Sequence, residues 1–219
     1  MKKIIIPILF LLLFPGCINY IQDINLFSDG TGKMVITFWT KMPDEQSQKI
    51  LERTGIFNPD SLRNEFTSPF TSIKKINVYT DTTDSTTHAI VQFSFSNIDS
   101  LNKMKFFSTS DFSLNDGAEG QKIFTQFIAP IASGFGINNN DFTVTYKYTF
   151  GGDIVTDNAT EKQGRTLIWK YTFSEIGNGK TISVTFRPFK LKETPPWIYA
   201  LSGLVLLLVI IFLFRKKKD

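Results

Sequence analysis

The chain has 219 residues, with 24 Lys and Arg against 20 Asp and Glu, a net charge of +4 and an isoelectric point near 9.0. Lys2, Lys3, Arg215, Lys216, Lys217 and Lys218 supply six of the basic residues and Asp219 one of the acidic ones, so 18 basic and 19 acidic residues remain between the ends, a net of −1. That excludes a nucleic-acid-binding surface, and one Cys with one His excludes disulfide frameworks, Cys/His zinc sites and Cys–His nucleophiles within one chain.

The chain opens on Met1-Lys2-Lys3, an apolar run from Ile4 to Phe14, and Pro15-Gly16-Cys17. A short basic segment followed by 11 apolar residues reads as a secretory signal, since a span needs about 20. A small residue directly before a Cys at the end of such a run looks like a bacterial lipobox. Residues 1–16 are therefore read as a lipoprotein-type signal peptide, and Cys17 as an acylated N-terminus.

Residues 17–195 are expected to form one extracytoplasmic α+β domain, long enough for a sizeable core. Asp23 to Phe27 leads through Ser28-Asp29-Gly30-Thr31-Gly32 into Met34, Ile36 and Phe38, which alternate with Val35, Thr37 and Trp39. That pattern predicts a β-hairpin turned by Asp-Gly. Pro43 to Thr54 reads as a charged helix stopped by Gly55, and Asn58-Pro59-Asp60 opens a short helix running to about Phe66. Ile76 and Val78 begin a second hairpin, which turns through Asp81 to Ser85 and returns with Ala89, Val91, Phe93 and Phe95 on one face. Asn97 to Met104 adds a turn or two of helix. Gln121 to Phe135 fits either a helix face or a strand, with Pro130, Gly134 and Gly136 as breakers. Three further apolar faces follow: Phe142, Val144, Tyr146, Tyr148 and Phe150; Leu167, Trp169, Tyr171 and Phe173; and Ile182, Val184 and Phe186. Alternation this regular predicts a mainly antiparallel β-sheet with a few short helices packed on one face.

Residues 196–214 are expected to be a transmembrane helix. Trp197 to Phe214 would give roughly 27 Å of helix against a ~30 Å hydrocarbon core. Trp197 and Tyr199 suit the headgroup level, and Arg215, Lys216, Lys217 and Lys218 mark residues 215–219 as a basic cytoplasmic tail. The expected location is thus the cytoplasmic membrane, single-pass, with the domain outside, the C-terminus inside and a lipid anchor at Cys17.

Candidate chemistry is sparse. His88 shares parity with Thr86, Ile90 and Gln92 on the wet side of its strand, where a solvated His is the simpler reading. No GxSxG elbow, P-loop, GxGxxG or HExxH motif occurs. Asp81 and Asp84 read as hairpin-turn residues, and Asp111, Asp116, Glu119 and Asp153 as scattered carboxylates with no pairing for glycoside chemistry. Asn158-Ala159-Thr160 is a formal glycosylation sequon. No catalytic residue, metal site or cofactor is called for.

The segment Lys122 to Ile137, KIFTQFIAPIASGFGI, is apolar, aromatic and punctuated by Pro and Gly. It reads either as a lip over an apolar cavity or as a core element with its exit loop. Phe124, Phe127, Ile128, Ile131 and Phe135 are its candidate contacts for an apolar ligand or the membrane.

The layout resembles the LppM-type lipoprotein family. The resemblance is carried by Gly16-Cys17, the hairpin LFSDGTGKMVITF, the segment YTFGGDIVTDNATEKQGRTLIWKYTF with its central Trp169, and the closing Trp197, apolar run and basic tail. It implies a surface-exposed, membrane-tethered ectodomain with no catalytic motif, for which a lipid-like ligand has been suggested. The leading expectation is a non-enzymatic envelope protein whose partners are membrane lipid and an apolar ligand. The alternative is a structural or interaction module that recruits an envelope protein through its exposed sheet.

Overall fold

The computed structural model describes residues 18–41, 49, 55–118, 120–130, 143–189 and 196–215. Cys17, the helix expected over Pro43–Thr54 (Lys49 excepted), Glu119, Ile131 and Phe135 lie outside them.

Eleven strands form among the described residues: β1 Ile18–Leu26, β2 Gly32–Lys41, β3 Thr71–Asp81, β4 Thr86–Phe95, β5 Ser113–Asp116, β6 Lys122–Ile128, β7 Thr143–Phe150, β8 Gly152–Asp157, β9 Glu161–Gln163, β10 Thr166–Thr172 and β11 Lys180–Pro188. Helix α1 is Pro59–Phe66, α2 is Phe173–Ile176 and α3 is Pro196–Arg215, with 3-10 turns at Asp99–Lys103 and Lys105–Phe107.

Seven strands make one sheet in the order β3-β4-β2-β1-β7-β10-β9, and four make a second in the order β5-β6-β11-β8. Every pairing is antiparallel except β1 with β7, which run parallel in the register Tyr20↔Val144 to Leu26↔Phe150. The expectation of one mainly antiparallel sheet is therefore corrected to two sheets, the larger one mixed. Strand periodicity reports which residues face the core, but it carries nothing about which strand lies alongside.

The first hairpin closes as its sequence demands. Gly30 takes φ +85°, which only glycine adopts freely. The Asp29 carboxylate accepts from the Thr31 backbone N–H at 2.9 Å and the Thr31 hydroxyl at 2.7 Å. These bonds hold the carboxyl below its ordinary pKa. Gly32 is needed for a different reason: a Cβ there would lie 2.5 Å from the Asn25 carbonyl oxygen and 2.5 Å from the Phe95 ring. Gly32→Ala is expected to destabilise the fold by about 1–3 kcal/mol, because the clash involves paired backbone on one side and the buried Phe95 ring on the other. Thermal unfolding of the two chains checks this, and equal midpoints would contradict the close approach.

Helix α1 begins where Asn58 accepts from the Asp60 and Ser61 backbone N–H groups at 2.9 and 3.0 Å, with Pro59 in the first turn. Its spacing buries Leu62 and Phe66 on one side. Phe66 reaches Phe93 of β4 with ring centroids 5.6 Å apart, so α1 covers the β3–β4 end of the large sheet. The small sheet covers the rest of that face through Phe124 against Tyr148 at 5.6 Å and Phe186 against Phe150 at 5.1 Å. Between them Phe107 and Phe112 continue the ring-to-ring contacts from Phe66 to Phe124. The 22 Phe residues of the chain thus supply much of the filling between layers.

Phe173 does not extend β10 as its parity suggests. The Thr172 backbone N–H and hydroxyl both bond the Glu175 carboxylate, at 2.7 and 2.8 Å, and start α2 instead.

The strands and short helices belong to one unit ending at Pro188, and α3 belongs to a second beginning at Phe189. Helix α3 forms over 20 residues, with Trp197 and Tyr199 in its first turn and Arg215 at its end. The expectation that it crosses a membrane is corrected: among the described residues no helix is long and apolar enough to do so. Lys216, Lys217 and Lys218 lie outside the described residues.

Candidate functional site

The inward face of the large sheet changes character along its length. In β1 the buried parity reads Gln22, Ile24, Leu26, and in β7 it reads Val144, Tyr146, Tyr148, Phe150. The facing strand of the small sheet, β6, buries Phe124, Gln126 and Ile128 and leaves Ile123, Thr125 and Phe127 half-buried. At the Leu26–Phe150–Phe124 end the layers close on apolar side chains alone. Towards Tyr20 and Ile128 they part around a pocket of about 440 Å³.

Its walls come from four places. Tyr20 and Gln22 stand on β1, Val144 and Tyr146 on β7, and Gln126 to Pro130 on and just beyond β6. Phe106, Phe107, Thr109 and Ser110 close the fourth side. The Phe127 backbone N–H donates to the Ser110 carbonyl at 2.7 Å, which ties that loop to β6.

A line of hydrogen bonds crosses the pocket floor between the sheets. The Tyr20 hydroxyl donates to Gln22 Oε1 at 2.7 Å, Gln22 Nε2 donates to the Tyr148 Oη at 2.7 Å, and the Tyr148 hydroxyl donates to Gln126 Oε1. Gln22 and Gln126 are each 1 % exposed, which such polar groups accept only when paired. Burial raises the Tyr20, Tyr146 and Tyr148 phenols well above their ordinary pKa, and the neighbouring phenols push them the same way. All three stay neutral across the physiological range. The site therefore offers hydrogen bonding and aromatic or aliphatic contact, from residues without formal charge.

Compared with solved structures, the chain matches the NMR structure of the folded domain of the Mycobacterium tuberculosis LppM protein. The two are 16 % identical with a TM-score of 0.54, and the match covers 82 % of this chain and 95 % of that one. The fold is LppM-like. No family model matches the chain, and no curated protein does. At this identity the likeness is one of architecture, and the pocket rests on this chain's own residues.

The residues singled out from the sequence divide accordingly. Phe127 and Ile128 line the pocket. Phe124 lies behind it, fully buried against Phe112, Tyr148 and Phe150. The ambiguous Gln121–Phe135 segment is strand as far as Ile128. Sequence reasoning passed over Tyr20, Gln22, Gln126 and the Phe106–Phe107 pair. The available signal was the glutamines, each a polar residue on the buried parity of an otherwise apolar strand.

His88 lies away from the pocket on the opposite face of β4. It is stacked between Tyr79, at 4.8 Å, and Trp39, at 5.9 Å, in register across β3, β4 and β2. Its Nε2 lies 2.7 Å from the Thr86 hydroxyl, which itself donates to Asp84 at 2.5 Å. With its proton directed at Asp84, that hydroxyl is not placed to be activated by the imidazole. Asp81 accepts from the Thr83 backbone N–H and hydroxyl within the turn. Asp111 takes φ +44°, Asp116 pairs with Lys122 at 2.6 Å, and Asp153 is exposed on β8. Among the described residues no group of three or more His, Cys, Asp or Glu gathers as metal ligands would.

Asn158, the sequon residue, is structural. Its Oδ1 accepts from Ser183 N at 2.9 Å and Trp169 Nε1 at 3.0 Å, while its Nδ2 donates to the Thr181 carbonyl at 2.7 Å.

Proposed function

We propose that this chain is a membrane-associated cell-envelope protein, tethered at an acylated Cys17, that binds a lipid-like ligand between its two sheets. The observation that carries the reading is the pocket itself. A volume of about 440 Å³ lies within the range of small-molecule sites, and its apolar walls converge on a few polar groups.

The rival reading, recruitment of a protein through a sheet edge, has weaker support. Edge strand β3 carries Lys74 and Lys75 at a register shift, and edge strand β9 is three residues long. Both features discourage strand addition.

The test uses the full chain purified from its membrane, with co-purifying lipid extracted and quantified per mole of protein. Ile128→Asp, checked for folding by its melting curve, places a carboxylate on the same face of β6 as Gln126, in the pocket wall. Wild type is expected to retain lipid at a fixed stoichiometry and the variant at least tenfold less, a loss of about 1.4 kcal/mol in binding. Equal lipid content in the two would remove the pocket as the site.

A further inference from the structure

We infer that the pocket selects amphiphiles whose buried end is uncharged and hydroxyl-bearing, and rejects those ending in a carboxylate or phosphate. The inference rests on the reading of the pocket as a ligand site and names the class of ligand.

Two observations carry it. First, among the described residues lining the pocket there is no Lys, Arg, His, Asp or Glu. The nearest charges on its two central strands, Asp23 and Lys147, sit at the opposite parity to Gln22 and Tyr146 and answer one another across the β1–β7 register. An anionic headgroup at the floor of this cleft would give up part of its water and meet no cation, which is costly. A hydroxyl has far less solvation to lose.

Second, the hydrogen bonds on the floor run in one direction. The Tyr20 proton goes to Gln22, a Gln22 N–H goes to Tyr148, and the Tyr148 proton goes to Gln126. The cascade thus starts at a phenol oxygen with lone pairs to offer and ends at a carboxamide whose carbonyl is engaged and whose NH₂ is a donor. Both end residues line the pocket. A ligand completing both ends must donate and accept, as a hydroxyl does. A carboxylate brings no donor for Tyr20, and an ammonium brings no acceptor for Gln126.

The test is photo-crosslinking on the full chain exchanged into amphipol, followed by peptide mapping. The probes share one diazirine-bearing acyl chain, presented as a monoacylglycerol, as the free fatty acid at pH 8 and as the lysophosphatidic acid. The monoacylglycerol is expected to label peptides within residues 106–130 at least tenfold more than either anion. Gln126→Leu, checked for folding by its melting curve, is expected to cut that preference below threefold. Equal labelling by all three probes, or stronger labelling by an anion, overturns the selectivity and leaves the lipid-binding reading standing. Absence of pocket labelling by every probe overturns both.

Discussion

Raising the pH above 10 is expected to unfold the two-sheet domain over a narrow range set by the tyrosines that its fold buries. Tyr146 and Tyr148 are 7 % and 0 % exposed, and burial raises both phenols above the ordinary value of 10.0. The sign follows from which state holds the protons. Above pH 10 the unfolded chain has released both and the native chain has kept them, so stability falls as pH rises. For two groups the slope is about 2.7 kcal/mol per pH unit, and two units remove about 5 kcal/mol. That is comparable to the whole stability of a marginal domain. Below pH 10 the contribution is fully present and flat. Tyr20, half-buried at the rim, adds a smaller share in the same direction. Urea unfolding followed by Trp fluorescence at pH 8 to 12 measures the slope, and absorbance at 295 nm should show phenolate appearing together with unfolding. Tyr146→Phe should reduce the slope by about 1.4 kcal/mol per pH unit. Phenolate absorbance that Tyr146→Phe removes, appearing while the chain is still folded, would contradict the burial of this ring.

The second large effect is expected at Trp169. Its side chain is fully buried, packs on Tyr148 at 5.5 Å and donates to both Asn158 oxygens at 3.0 Å. Asn158 in turn holds Thr181 and Ser183 of β11. Trp169 stands on the large sheet and β11 lies in the small one, so this one indole ties the two layers by hydrogen bonds through Asn158. Trp169→Ala should cost about 3–5 kcal/mol, the range for removing a buried aromatic from a core. At about 2–4 °C per kcal/mol for a domain of this size, the melting midpoint should fall by about 6–20 °C. Trp169→Phe keeps most of the ring and loses the N–H, so its cost should be smaller, near that of leaving buried acceptors unmet, about 1–3 kcal/mol. A loss under 1 kcal/mol for the alanine variant would show that the layers hold together without this contact.

The faces of most strands were legible because the code for burial is local. Met34, Ile36 and Phe38, or Ala89, Val91 and Phe93, announce their parity without reference to any other segment, and Asn58-Pro59 announces a helix start in the same way. Strands β5, β8 and β9 escaped, since they are short or mostly exposed and alternate weakly. The second sheet escaped for a deeper reason: no residue in β6 or β11 records whether its buried side will meet a helix or another sheet. In the site, Phe127 and Ile128 were readable from the apolar run around them. Gln22 and Gln126 showed only as polar residues on a buried parity, and their role emerges once Tyr148 is seen between them. The apolar stretch before the basic tail was readable as a helix, while reading it as a membrane span went further than the described residues support.

The parallel pairing of β1 with β7 sets the order in which the chain can assemble. β1 is neither edge nor appendage: it lies between β2 and β7, with its pairings to them beginning at Ile18 and Tyr20. The hairpins β1–β2 and β3–β4 involve near neighbours in the chain and can zip as soon as both of their strands are available. The far side of β1 must wait for Phe150, more than a hundred residues later, and closing so long a loop is the slow step in folds of this kind. During that interval the half-built sheet presents an open edge at its future centre, with Gln22 and Ile24 uncovered. A chain delivered from its N-terminus therefore keeps this edge open, and exposed to mispairing, until its seventh strand arrives.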